Sequence, residues 1–135
     1  MPTEIRQIMV ADPKTIHPDA TVASAFEMML SGSFRHLPVT ADRKVVGILS
    51  DRDLLRHMPR ADDSPSAHGR FAKQRVVDIM TPVPLTVAGD EKLTSAVQSM
   101  LSNNISSILV VDKERRLEGL VTMVDIAALS LRLLK

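Results

Sequence analysis

Two sets of apolar residues recur at one helical spacing, 71 positions apart. Val22, Ala25, Phe26, Met29 and Leu30 stand at i, i+3, i+4, i+7 and i+8, and Leu93, Ala96, Val97, Met100 and Leu101 repeat that order. Each set makes one apolar stripe and predicts an amphipathic helix, at 21–31 and 93–103. Gly32 and Asn103 follow at equivalent positions. These residue types best tolerate the left-handed backbone, so they are expected to end the two helices. A short apolar run comes next in each half, His36-Leu37-Pro38-Val39 and Ser107-Ile108-Leu109-Val110-Val111. Each predicts a buried strand, followed by a polar turn at 41–44 or 112–116 and a second strand at 45–49 or 117–121. Final helices are expected over 50–58 and 122–134.

The repeat extends beyond these elements. Ile8-Met9 aligns with Ile79-Met80, Pro13 with Pro84, Thr15 with Thr86, and Ile16 with Val87. The second turn is one residue longer, so the offset becomes 72 by Gly47 and Gly119. A fixed internal period signals one structural unit used twice. The fold class expected is α/β, built from two pseudo-symmetric β-α-β-β-α repeats over 3–58 and 76–134. Between them, 59–75 is rich in Pro, Ser, Ala and mixed charge and reads as a linker or mobile loop. One repeat is too small to bury both faces of its sheet, so the two are expected to pack sheet to sheet as one module.

Each repeat opens its last helix with the same motif, Gly47-Ile48-Leu49-Ser50-x-x-Asp53 and Gly119-Leu120-Val121-Thr122-x-x-Asp125. The plain reading is a capping box with Asp in place of Glu. The hydroxyl accepts a bond from the third helical N–H, and the carboxylate reaches back to the cap N–H. A second use is compatible with the first. Helix N–H groups at the end of a strand attract phosphate. A carboxylate repels phosphate but matches the paired hydroxyls of a ribose. Phosphate at the cap and ribose at the aspartate together describe a nucleotide.

On these motifs, on Thr15-Ile16 and Thr86-Val87, and on the run RHLPV at 35–39, the chain resembles a tandem pair of CBS domains, also called a Bateman module. The resemblance covers nearly the whole chain. It implies a regulatory module, not an enzyme, with clefts between the repeats for AMP, ADP, ATP or S-adenosylmethionine. Asp53 and Asp125 are then expected to hold ribose hydroxyls. Ser50 and Thr122 are expected to bond ribose or phosphate. Thr15, Ile16, Thr86 and Val87 are expected to line the adenine, with His36, Leu37 and Pro38 walling the base in the first repeat and Ser107 in the place of His36 in the second. Leu109 stands where the second repeat would carry proline, and Ser106-Ser107 replaces Arg35-His36, so unequal sites are expected. The resemblance also implies a homodimer formed through helices. No effector domain is present in the sequence, so the regulated protein is expected to be another chain. The alternative is a ligand-free dimerisation scaffold in which the motifs act only as caps.

Composition narrows the classes further. A formal charge of +1 over 135 residues and only three aromatic residues argue against nucleic-acid binding. With no Cys, thiolate metal sites and disulfides are excluded. His17, His36, His57 and His68 show no paired metal-ligand spacing, so no metal and no required cofactor is expected beyond the adenine nucleotide. Neither a signal sequence nor a membrane span is evident, and a cytoplasmic protein is expected. Arg35, His36 and Arg52, beside the first motif, could reach phosphates; for Arg35 and Arg52 the plainer reading is solvated surface, since exposed charges are the rule. The cations Arg70, Lys73 and Arg75 read as a solvated patch.

Overall fold

The computed structural model describes residues 2–134. After a single 3-10 turn at Ile5–Gln7, the elements in chain order are β1 (Val10–Ala11), α1 (Val22–Gly32), β2 (His36–Ala41), β3 (Lys44–Ser50), α2 (Asp51–His57), α3 (Pro65–Lys73), α4 (Val76–Ile79), β4 (Thr81–Pro82), β5 (Thr86–Ala88), α5 (Leu93–Ser102), β6 (Ser107–Val111), β7 (Leu117–Thr122) and α6 (Met123–Leu133). They form two compact units. One is Lys14–Val83; the other joins the residues up to Pro13 with those from Pro84 onward.

In the Lys14–Val83 unit, β2, β3 and β4 form an antiparallel sheet in that order. Ile16 extends it beside β2 through a parallel bridge to Val39, its N–H donating to the Pro38 carbonyl at 3.0 Å. The apolar stripe of α1 lies in the core. Val22, Ala25 and Met29 are buried with Leu37, Val39, Leu49, Leu54, Val76 and Ile79. In the other unit the sheet order is β1-β7-β6-β5, with β5 parallel to β6. Its core is Ile5, Ala96, Met100, Ile108, Val110 and Val121. Both hairpins and all four long helical predictions are present, with ends shifted by about one residue, the usual uncertainty of helix ends.

Three expectations are corrected. The left-handed residues are Ser33 (φ 57°) and Asn104 (φ 53°), one place beyond Gly32 and Asn103. Gly32 is helical, and its lack of a Cβ makes room for the ring of Phe34. Asn103 instead turns its side-chain amide onto the Ser99 carbonyl at 2.8 Å. Second, the stripes are narrower than their spacing suggests, since Leu30 and Leu101 are 79% and 65% exposed. Third, 59–75 is not a plain linker. Ser64 caps α3, Pro65 takes its first position, and Phe71 is buried edge-on to Phe26 at 6.3 Å between ring centroids.

The aligned pairs Ile8-Met9 and Ile79-Met80 lead into β1 and β4. These are two-residue edge strands, and each joins the sheet of the other repeat's hairpin. β4 pairs with β3 at Gly47 and Ile48, and β1 pairs with β7 at Gly119 and Leu120. The motif glycines are therefore explained by packing. A Cβ on Gly47 would meet the Met80 sulfur and lie 3.0 Å from the Thr81 carbonyl; one on Gly119 would meet Met9 and lie 3.0 Å from the Val10 carbonyl. Gly47→Val is expected to lower the unfolding free energy by about 1–3 kcal/mol through overpacking. The check is the midpoint of a urea denaturation curve.

Candidate functional site

The last residue of β3 is Ser50, and its backbone is extended (φ −113°, ψ 164°) where α2 begins. Thr122 repeats this at the end of β7 (φ −115°, ψ 164°). At Ser50, Asp53 Oδ2 accepts from the Ser50 N–H at 2.8 Å and from its hydroxyl at 3.1 Å, while the Asp53 N–H donates back to Ser50 Oγ at 3.1 Å. At Thr122 the same three bonds measure 2.8, 3.1 and 3.4 Å. Both sequence motifs are thus capping boxes, and in each the second carboxylate oxygen makes none of these bonds. In Asp53 that oxygen faces Arg56 at 3.6 Å; in Asp125 it can accept from a ligand hydroxyl without disturbing the cap.

The surroundings of the two boxes share one backbone arrangement. His36 pairs across the hairpin with Ser50, and Ser107 with Thr122. The Asp51 N–H donates to the Arg35 carbonyl at 2.9 Å, and the Met123 N–H to the Ser106 carbonyl at 2.9 Å. Leu37 and Pro38 are buried in β2, and Ile16 is buried beside it. Thr86 and Val87 lie in β5, alongside Leu109 and Val110. Thr15 and Arg52 are exposed. Each unit therefore places its short first segment, its hairpin and its aspartate motif on one sheet and the helix that follows it.

The charged groups differ. Asp53 is only 5% exposed and has Arg56 at 3.6 Å, an ion pair that sequence reading missed although the i, i+3 spacing marks it. Asp125 is half-buried, and Ala128 occupies the position corresponding to Arg56. Burial holds the His36 imidazole below its usual value; Asp51 and Asp53 pull it back up, and Arg35 and Arg52 add to the lowering. The unfolded chain then takes up a proton, near about pH 6.5, before the folded chain does. Stability is expected to be full above that pH and to decline as pH falls from there through the folded value. His36→Gln should flatten this part of a plot of melting temperature against pH.

Among the described residues no cluster of His, Asp and Glu could hold a metal ion. Among the described residues no helix is long and apolar enough to cross a membrane.

Comparison with known proteins bears on this arrangement. Residues 5–60 and 76–132 each match the family model described as CBS domain. A CBS domain-containing protein of Dictyostelium discoideum is 32% identical over 139 aligned positions, covering 97% of this chain and 93% of that one. The CBS domain pair of protein MJ0100, solved with 5′-methylthioadenosine and S-adenosyl-L-methionine, is 29% identical with a TM-score of 0.79, covering 94% of this chain and 98% of that one. The structure of CBSX2 in complex with AMP is 25% identical with a TM-score of 0.83, covering 99% and 100% of the two chains. The chain spans about a quarter of the length of several curated relatives it matches, which are named as enzymes.

Proposed function

Because the chain belongs to the CBS domain family, we propose that it is a regulatory module that binds an adenosine compound at its two S/T-x-x-D motifs. The observation that carries this reading is the repeated capping box, which uses only one oxygen of each carboxylate for the helix; the other faces Arg56 at 3.6 Å in Asp53 and stands outside the cap in Asp125. The complexes of MJ0100 and CBSX2 with adenosine compounds support the same ligand class. In this reading Asp53 and Asp125 hold the ribose hydroxyls, and Ser50 and Thr122 contribute at the helix start. Ile16 and Val87 contact the base from the adjacent segments. The nucleotide acts as a regulatory ligand and undergoes no reaction.

Binding is coupled to a partner by a shift between conformations or associations. The partner is another protein, and a second copy of this chain is part of the active form. Val124, Leu131 and Leu134 on and after α6 are 69%, 62% and 82% exposed, and their spacing sets them along one helical face. That apolar face also supports the rival reading, a ligand-free dimerisation scaffold.

Thermal melts with AMP, ADP, ATP, GTP and S-adenosylmethionine separate the two. A ligand that binds only the folded state adds about 2.7 kcal/mol at 100 times its dissociation constant. A shift with an adenine compound and none with GTP is the expected result. No shift with any of them at millimolar concentration leaves the scaffold as the reading.

A further inference from the structure

We infer that the two motifs take chemically different adenosine species, an inference that rests on the adenosine-binding reading above. The Ser50/Asp53 motif takes one that carries phosphate. The Thr122/Asp125 motif takes one whose 5′ substituent is uncharged.

The argument starts from the shared backbone. The caps have the same dihedral angles, the two strand registers match, and the Asp51–Arg35 and Met123–Ser106 backbone bonds are both 2.9 Å. Side chains at corresponding positions therefore leave equivalent points of the backbone. The helix start and its bonded N–H groups are common to both motifs and cannot tell one ligand from another.

What differs is charge. Around Ser50 stand Arg35, Arg52 and Arg56, with His36 across the hairpin. Against them are Asp51 and Asp53, and Arg56 lies 3.6 Å from Asp53. Arg35 and Arg52 are exposed and long enough to turn toward an anion beside the cap. Around Thr122 the corresponding residues are Ser106, Val124, Ala128 and Ser107, with Met123 in the place of Asp51. Asp125 is the one charged side chain in that set. A phosphate brought there meets a carboxylate with no cation from any of these positions to offset it. A nucleoside ending in a thioether or methyl group meets no opposing charge from these positions, and the exposed Val124 offers it an apolar neighbour. The module then reads two adenosine species at once, and the ratio of the two can set its state.

The test is calorimetric titration of the full chain with ATP and with 5′-methylthioadenosine, alone and with the other ligand saturating. The variants are Arg35→Ser with Arg52→Val, which copies the second motif, and Ser106→Arg with Val124→Arg, which copies the first. We expect the two ligands to bind the wild type without competing. Added salt should weaken ATP and leave methylthioadenosine unchanged. R35S/R52V should weaken ATP at least tenfold and move methylthioadenosine less than twofold. S106R/V124R should create a second ATP site. Unchanged ATP affinity in R35S/R52V, or competition between the ligands in the wild type, overturns the assignment and leaves adenosine binding intact. Failure of both ligands to bind the wild type overturns the underlying reading as well.

Discussion

Replacing Asp53 and Asp125 together by asparagine is expected to weaken adenosine binding at least tenfold while leaving a folded protein. Each aspartate serves its cap through Oδ2, which accepts from the backbone N–H and the hydroxyl of Ser50 or Thr122. An asparagine carbonyl oxygen can accept both bonds. What the cap loses is a negative charge near the helix N-terminus, about 0.3–1 kcal/mol for each helix. A ribose loses more. In the proposed binding mode its hydroxyls donate to a charged carboxylate in the parent and would face a neutral amide with one acceptor oxygen in the variant. Hydrogen bonds to a charged group contribute about 1.5–3 kcal/mol each, so one lost bond is tenfold or more in affinity. Melting temperature and calorimetric affinity, measured on the same preparation, check both halves of the expectation. A variant that keeps parental affinity restricts the motifs to capping.

Phe71→Ala is expected to cost about 3 kcal/mol or more, placing it among the most damaging single substitutions outside the motifs. The ring is 7% exposed and packs edge-on against Phe26 at an interplanar angle of 76°. Its removal leaves a cavity where α3 meets α1, and Phe→Ala changes in cores cost about 3–5 kcal/mol. A solvated linker predicts the opposite, a change within about 0.5 kcal/mol. Urea denaturation separates these outcomes by the shift in midpoint at constant slope.

The contrast between those two sites shows which parts of the fold were legible in the sequence. The capping boxes are local, so Ser50 with Asp53 and Thr122 with Asp125 declare themselves by spacing alone. The hairpins and the stripes of α1 and α5 repeat a period over several turns, and the repetition itself strengthens the reading. The helix at Pro65–Lys73 has only Phe71 in the core, so it shows no stripe. Its signal was the Ser64-Pro65 pair, a cap followed by proline in the first helical position. Strands β1 and β4 are two residues long and cannot show alternation. The alignment of Ile8-Met9 with Ile79-Met80 shows the repeat just before them but does not predict a strand or the sheet each joins. The left-handed residue is Ser33, not Gly32, and what requires glycine at 32 is the Phe34 ring beside it, a contact made by folding. At the candidate site the motif residues were legible, and the i, i+3 spacing of Asp53 and Arg56 carried their ion pair, whereas the desolvation of His36 depends on packing.

The central claim is that an adenosine compound sits at the repeated motifs, and the direct measurement is a nitrogen-15 correlation spectrum of the labelled protein titrated with AMP. The account predicts that the largest amide shifts fall at Ser50–Asp53, at Thr122–Asp125 or at both, and on the adjoining residues Ile16, His36, Val87 and Ser107. Saturating AMP that leaves these amides in place, or that moves only amides remote from both motifs, would contradict it.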